Sequence, residues 1–291
     1  MKVRVITGLV AAVLPLAALF FLQTHILAIV LVPFMAMVSY EICHVVKMKN
    51  KGIIIFSAIV AAMVPIVMEW DLLDLLRVPL WLPLLAYIFI LVVMMLARFE
   101  ETRFEHVLIA LMASLGAPVA VSMIVMYRDF IKAREGAAYE QNLAVFLLFF
   151  AFCCAWLTDT FAYFTGSKLG KHKLAPKISP KKTWEGAIGG VVGTALANVG
   201  FAAIFNAVFL HGHQLRLLSI GLISVPICIV SMIGDMAASS LKRSYGAKDF
   251  GHLFPGHGGV MDRIDSLSYV APFLFSLLQL ENSMGLQIFY K

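Results

Sequence analysis

Long apolar runs separated by short polar segments dominate the hydrophobic pattern of this chain. A helix of roughly 20 mainly apolar residues is long enough to cross the hydrocarbon core of a bilayer. The pattern predicts an all-α integral membrane protein, a polytopic bundle of about nine transmembrane helices, at residues 5–22, 26–46, 53–69, 79–97, 107–126, 143–166, 186–209, 216–237 and 267–281. The last of these runs is short and contains Pro272, so eight spans are an alternative to nine.

The first apolar run, residues 5–22, has two interpretations because Lys2 and Arg4 precede it. A basic start followed by an apolar core is also typical of a secretory signal peptide. However, the run is longer than the roughly 7–15 residues of a signal core, and no A-x-A-like cleavage site follows it. We therefore expect residues 5–22 to be a retained span.

Composition places the chain in a membrane. Of its 291 residues, 61% are hydrophobic and only 14% are charged, and the mean hydropathy is +0.91. Soluble domains carry about 25% charged residues. The four cysteines all lie in apolar runs without a metal-binding spacing, so we interpret them as packing residues. We expect one membrane domain over 1–291, with N-terminal spans in 1–142 and spans carrying the polar loops in 143–291.

The distribution of positive charge predicts the orientation. If the N-terminus is cytoplasmic, 17 of the 23 lysines and arginines fall in segments on the inner side. Cytoplasmic loops of membrane proteins carry this excess. Both strongly polar loops, residues 167–185 and 238–266, then open on the cytoplasmic face.

The stretch 234–265 concentrates acids, bases and glycines in an otherwise apolar chain. Asp235, Ser239 and Lys242 or Arg243 recur at a helical spacing that places them on one face. A glycine-rich loop follows, and glycine backbones commonly approach and cradle phosphate. Four acids lie in this stretch: Asp235, Asp249, Asp262 and Asp265. This density of acids, bases and glycines suits a metal-bound, phosphorylated substrate.

A second polar loop, residues 167–185, holds six lysines. It could be a plain stop-transfer loop that attracts anionic headgroups. Its hydroxyls and lysines immediately before a predicted helix start also suit a polyphosphate, because amide groups at a helix N-terminus are unpaired. The preceding span carries Asp159, an ionisable residue that is costly in hydrocarbon and therefore a candidate site residue. Glu41 and His44 are further intramembrane candidates, which could equally snorkel to the cytoplasmic end, and we leave them outside the predicted site.

The polar residues of these stretches fall into three motifs. The long one reads Ser239-x-Leu241-Lys242-Arg243, then Lys248-Asp249, then Pro255-x-His257-Gly258-Gly259-x-x-Asp262-Arg263-x-Asp265. Upstream lie Asp159-Thr160-x-Ala162-Tyr163 and Ser179-Pro180-Lys181-Lys182-Thr183-x-Glu185-Gly186. In content and order, the three motifs resemble those of the phosphatidate cytidylyltransferase (CDP-diacylglycerol synthase) family. The resemblance implies a Mg²⁺-dependent reaction of CTP with phosphatidic acid that gives CDP-diacylglycerol and pyrophosphate.

Charge neutralisation would dominate such a reaction because two anions must meet. We predict Asp235, Asp262 and Asp265 as Mg²⁺ ligands, since carboxylate oxygens suit this ion; a second cation stays open. The predicted catalytic residues are Asp235, Asp262, Lys242, Arg243 and Asp249. The predicted substrate-binding residues are Asp159, Ser179, Lys181, Lys182, Thr183, Ser239, Lys248, His257, Gly258, Gly259 and Arg263. His257 could contact pyrophosphate or shape the glycine turn.

The predicted partners are CTP, phosphatidic acid and the lipid bilayer, with no nucleic acid; a homodimer stays open. The resemblance implies a bacterial inner membrane. Two other functions compete with this one. A CTP-dependent polyprenol or phytol kinase would share the nucleotide site but transfer the γ-phosphoryl group. A cation or metabolite transporter would place charges at mid-bilayer depth and show inverted repeats, neither of which the sequence favours.

Overall fold

A computed structural model describes residues 18–135, 141–211, 214–256 and 258–290. In chain order the helices are α1 (Ile26–Val45), α2 (Lys51–Glu69), α3 (Leu72–Leu75), α4 (Trp81–Ala97), α5 (Phe104–Leu111), α6 (Ala117–Glu135), α7 (Gln141–Leu169), α8 (Trp184–Val208), α9 (Leu217–Ser244), α10 (Met261–Ile264) and α11 (Leu267–Ser283). A π-helical turn, Met112–Gly116, joins α5 to α6. Two short strands, β1 (Lys173–Ala175) and β2 (Ser179–Thr183), precede α8.

Six helical segments of the described chain are long and apolar enough to cross a membrane: α1, α2, the continuous segment Phe104–Glu135, α7, α8 and α9. Helix α4 is apolar but has only 17 residues. The structure therefore confirms an all-α, multi-pass membrane protein. The count of nine spans stays a prediction, and most of the predicted span 5–22 lies outside the described residues.

The described residues form two compact units that alternate along the chain. The first contains the residues up to Met126 together with Lys242–Ile264, and the second contains Tyr127–Leu241 and the residues from Asp265 onward. The sequence did not predict this discontinuous division. The expectation of a single membrane domain over 1–291 stays a prediction.

Several buried polar side chains of the first unit are paired with one another. The Asn50 side chain caps α2 by accepting from the Ile53 amide at 3.3 Å, and it donates to the Thr102 hydroxyl at 3.0 Å. The Tyr87 hydroxyl lies 2.6 Å from the Ser114 hydroxyl and 3.1 Å from that of Ser57. Such pairing is required in a membrane protein because hydrocarbon offers polar groups no partner.

A stripe of glycines brings α8 against α7 in the second unit. A Cβ atom added at Gly186 would lie 2.8 Å from the Ala162 carbonyl oxygen, and one at Gly190 would lie 2.7 Å from that of Thr158. Real Cβ atoms do not approach backbone so closely, so the two helices require glycine here. Gly186 and Gly190 thus form a G-x-x-x-G pair, in which small residues let two helices pack closely.

The lysine-rich loop contains a small antiparallel hairpin that the sequence did not predict. Its register pairs Lys173 with Thr183 and Ala175 with Ser179. Glu185 fixes the base of the hairpin, since its carboxylate accepts from the Lys171 amide at 3.1 Å and lies 2.6 Å from His172 Nδ1. The hairpin leads directly into α8.

Candidate active site

The second unit contains an open cavity of about 560 Å³ beside the hairpin. A volume of this size suits a small-molecule ligand. Its wall is formed by the C-terminal parts of α7 and α9, both strands of the hairpin and the first turn of α8. Six residues of the predicted site line it, namely Asp159, Ser179, Lys181, Lys182, Thr183 and Asp235, together with Lys173 and Tyr163. The structure therefore brings together one part of the predicted site from three separated stretches of sequence.

Lys182 lies between two carboxylates of this cavity. Its Nζ forms an ion pair with Asp235 and lies 3.6 Å from Asp159 Oδ1. Burial by itself lowers the pKa of Lys182, but the carboxylates of Asp159, Asp235 and Asp265 together raise it above its usual value. The ammonium group therefore stays protonated across the physiological pH range.

The start of α8 fixes the position of Lys182. Thr183 is the N-cap of the helix, and its hydroxyl accepts from the Gly186 amide at 3.1 Å. A Cβ atom at Gly166, on α7, would lie 2.8 Å from that same hydroxyl oxygen. Lys181 is exposed, whereas the side chain of Lys182 is only 21% exposed. The predicted helix start behind a pair of lysines is confirmed.

The first unit holds a second cluster, centred on Asp262. One carboxylate oxygen of Asp262 accepts from Lys242 Nζ at 2.7 Å. The other accepts from the backbone amides of Phe250 at 2.7 Å and Gly259 at 2.9 Å. Gly258 has a φ of +80°, and a Cβ atom there would lie 2.6 Å from Asp262 Oδ2. The glycines thus allow the backbone to approach a carboxylate of the protein itself.

Glu41 is a residue of this cluster that the sequence reasoning left out. Its carboxylate is buried on α1 and accepts from the amides of Val260 at 3.0 Å and Met261 at 2.9 Å. A side chain at Gly251 or Gly259 would collide with it. The signal available in the sequence was an acid inside an apolar span, but nothing there identified its partners.

The remaining predicted residues lie on α9 or in the segment after it. Helix α9 contains Asp235, Ser239, Lys242 and Arg243, as their helical spacing predicted. Arg243 is exposed and donates to the Ala247 carbonyl at 2.8 Å. Lys248 is exposed, and Asp249 and Arg263 are half-buried. His257 lies outside the described residues. The roles of these residues in binding and catalysis stay predictions.

Asp235 and Asp262 each form an ion pair with a lysine, Lys182 and Lys242 respectively. Within residues 18–135, 141–211, 214–256 and 258–290, no group of three or more histidine, cysteine, aspartate or glutamate side chains is close enough to hold a metal ion. Asp265 is buried, and its carboxylate accepts from the Ser266 amide at 2.8 Å. The shared Mg²⁺ site of Asp235, Asp262 and Asp265 stays a prediction.

Comparisons with known proteins agree with the motifs. A model of the cytidylyltransferase family matches residues 2–281. The chain is 42% identical to a phosphatidate cytidylyltransferase of Haemophilus influenzae over 139 residues, which are 48% of each protein. It is 34% identical to one of Rickettsia prowazekii over 63% of this chain and 75% of that protein. It is 31% identical to one of Rickettsia bellii over 67% of this chain and 81% of that protein. The match to the Haemophilus protein therefore spans about half the length of that relative.

Proposed function

Because the chain belongs to the cytidylyltransferase family, we propose that it transfers the cytidylyl group of CTP to phosphatidic acid, forming CDP-diacylglycerol and pyrophosphate. The names of the relatives support this reaction. The family model extends over almost the whole chain, so the support is not limited to the motif region.

The cavity around Lys182 is the observation that carries the proposal. Three lysines, Lys173, Lys181 and Lys182, face a space of about 560 Å³ next to the N-terminus of α8. Lysines and a helix N-terminus together favour a polyphosphate. The hydroxyl groups of Ser179 and Thr183 add hydrogen-bonding capacity at the same wall. We assign this cavity to the triphosphate of CTP.

The proposed reaction needs no protein nucleophile. An oxygen of the lipid phosphate forms a bond to the α-phosphorus of CTP, the bond from that phosphorus to the bridging β-oxygen breaks, and pyrophosphate leaves with the electron pair. Both reactants are anionic, so positive charge held in place lowers the barrier. Lys182 is suited to this task because its two carboxylate neighbours keep it protonated and fix its position.

We propose that Mg²⁺ assists the reaction. Asp159 and Asp235 offer the oxygen donors that this ion prefers, and both face the cavity. Asp265 adds a third carboxylate whose charge acts on Lys182. When bound, the ion would supply positive charge for the phosphates. Asp262, also predicted as a ligand, accepts three hydrogen bonds, one of them from Lys242.

We further propose that the protein lies in a bacterial inner membrane with this site on the cytoplasmic face. The excess of basic residues in the loops 167–185 and 238–266 supports that orientation. CTP is a cytoplasmic metabolite, and phosphatidic acid would arrive from the bilayer.

Product identification tests the proposal. Purified protein in detergent, supplied with CTP, phosphatidic acid and Mg²⁺, is expected to form CDP-diacylglycerol that mass spectrometry detects in the organic phase. A phosphorylated lipid accompanied by CDP would favour the lipid kinase instead. A folded protein that consumes no CTP with either phosphatidic acid or a polyprenol would contradict both.

A further inference from the structure

A groove of about 720 Å³ runs between α1 and α2 in the first unit. It shares no lining residue with the cavity around Lys182. Its wall is made by residues of both helices and of the turn that joins them. None of these residues belongs to the proposed nucleotide site.

The floor of the groove is apolar. It is formed by Ala36 on α1 and by Ile55, Ala58, Ile59 and Ala62 on α2. The alanines leave room between larger neighbours, and Ile55 and Ile59 expose 60% and 52% of their surface. From Lys51 to Ala62 the helix rises by about 16 Å, which is comparable to the length of an acyl chain. The floor therefore suits a hydrocarbon tail.

One end of the groove is basic. Lys49 and Lys51 are exposed and line the mouth, together with His44. The Tyr40 ring stacks on the His44 ring at a centroid distance of 5.8 Å and forms part of the same wall. The two lysines lie at the helix ends, where headgroups of a bilayer would lie. A cationic mouth above an apolar floor is complementary to an anionic amphiphile.

From this geometry we infer that the groove between α1 and α2 binds an anionic phospholipid of the bilayer, with the headgroup phosphate at Lys49 and Lys51 and one acyl chain along Ala58 and Ala62. A soluble phosphate would leave the apolar floor unused. An ordinary lipid-facing surface can also have cations at its cytoplasmic end, but it would not combine them with a recess that accepts an acyl chain. The inference does not depend on cytidylyl transfer, since any anionic phospholipid has the required chemistry.

Native mass spectrometry of the full-length protein in neutral detergent tests this site. The probes are dioleoylphosphatidylglycerol and, for comparison, dioleoylphosphatidylcholine. We expect the wild type to retain phosphatidylglycerol preferentially. Lys49→Gln combined with Lys51→Gln should weaken that binding at least about tenfold, because each lysine near an anionic headgroup contributes substantially. Ala58→Phe should weaken it by filling the groove without changing the charge.

Lys47→Asn is the matched control. Lys47 is exposed, does not line the groove, and has a φ of 58°, which asparagine tolerates. The control should bind phosphatidylglycerol as the wild type does. If Lys47→Asn weakened phosphatidylglycerol binding as much as the double variant, or if Ala58→Phe left that binding unchanged, general surface charge would explain the binding. Either result would overturn the site. Displacement of the bound phosphatidylglycerol by soluble glycerol phosphate would also overturn the site. A melting curve checks folding, and Ala62→Leu serves as a second filling variant if Ala58→Phe does not fold.

Discussion

Asp235 and Asp262 are carboxylates that the structure neutralises in the same manner, each with one lysine. Asp235 pairs with Lys182, and Asp262 lies 2.7 Å from Lys242. The side chains of Lys242 and Asp262 are only 8% and 5% exposed. A charge this far removed from water needs a partner. The two pairs therefore have a structural role in addition to the chemical one that we propose.

Charge removal at these residues should impair catalysis severely. We expect Asp235→Asn and Asp262→Asn each to lower turnover at least about a hundredfold. If both carboxylates bind one Mg²⁺ ion, as the sequence predicts, the double variant should be much less than multiplicatively worse than either single variant. The measurement is the rate of CDP-diacylglycerol formation across a Mg²⁺ titration. Asp74→Asn, an exposed acid on α3, is the control. Near-normal turnover in a folded single variant would refute its role as a metal ligand.

Glu41 is expected to act as a positioning residue for the segment that carries Gly259 and Asp262. Glu41→Ala removes both acceptors of the Val260 and Met261 amides, so we expect turnover to fall at least about tenfold. Glu41→Gln keeps one acceptor oxygen and should retain more activity than the alanine variant. Melting temperatures in detergent separate this effect from unfolding. Equal activity in wild type and Glu41→Ala would show that the contact does not matter.

The close contact of α7 and α8 can be tested with two glycines of the same helix. Gly190→Ala places a methyl group against the Thr158 carbonyl. It should cost about 1–3 kcal/mol of folding free energy, which is typical of overpacking. A Cβ atom at Gly200, by contrast, meets nothing within 4 Å. Gly200→Ala should therefore leave stability unchanged or slightly higher. Thermal unfolding in detergent measures both. Equal melting temperatures for the two variants would contradict the packing described here.

Elements were predictable from the sequence where a single local signal determines them. Spans follow from hydrocarbon thickness, and the start of α8 follows from the hydroxyl of Thr183 ahead of an apolar run. The hairpin at Lys173–Ala175 and Ser179–Thr183 was missed because its short strands carry lysines and a proline, which are uncommon in strands. Its stability depends on Glu185, a contact across the loop that no periodic pattern reveals.

Contacts between distant parts of the chain were beyond the reach of one sequence. The residues around Lys182 were included in the predicted site because their motifs are individually polar in an apolar chain. Glu41 and Val260 are 219 residues apart, and nothing in either stretch indicates the other. The glycines near residue 259 were interpreted as a phosphate cradle, whereas the structure also requires them for the approach of Glu41 and Asp262.

At the scale of the whole molecule, orientation is the property to test. The charge distribution predicts that Lys132 faces the periplasm and Lys173 the cytoplasm. Both are exposed, and the four native cysteines are buried. An impermeant maleimide added to intact cells should label Lys132→Cys and should not label Lys173→Cys until the cells are opened. Labelling of Lys173→Cys in intact cells would place the cavity on the other face.

The most direct measurement of the central claim is the CTP dependence of CDP-diacylglycerol formation in two lysine variants of one loop. Lys182 lines the cavity and pairs with Asp235, whereas Lys177 is exposed and does not line it. We predict that Lys182→Met lowers kcat/KM for CTP at least about a hundredfold, and that Lys177→Met changes it less than about twofold. Wild-type kinetics in a folded Lys182→Met variant, or equal losses in both variants, would contradict the assignment of this cavity to CTP.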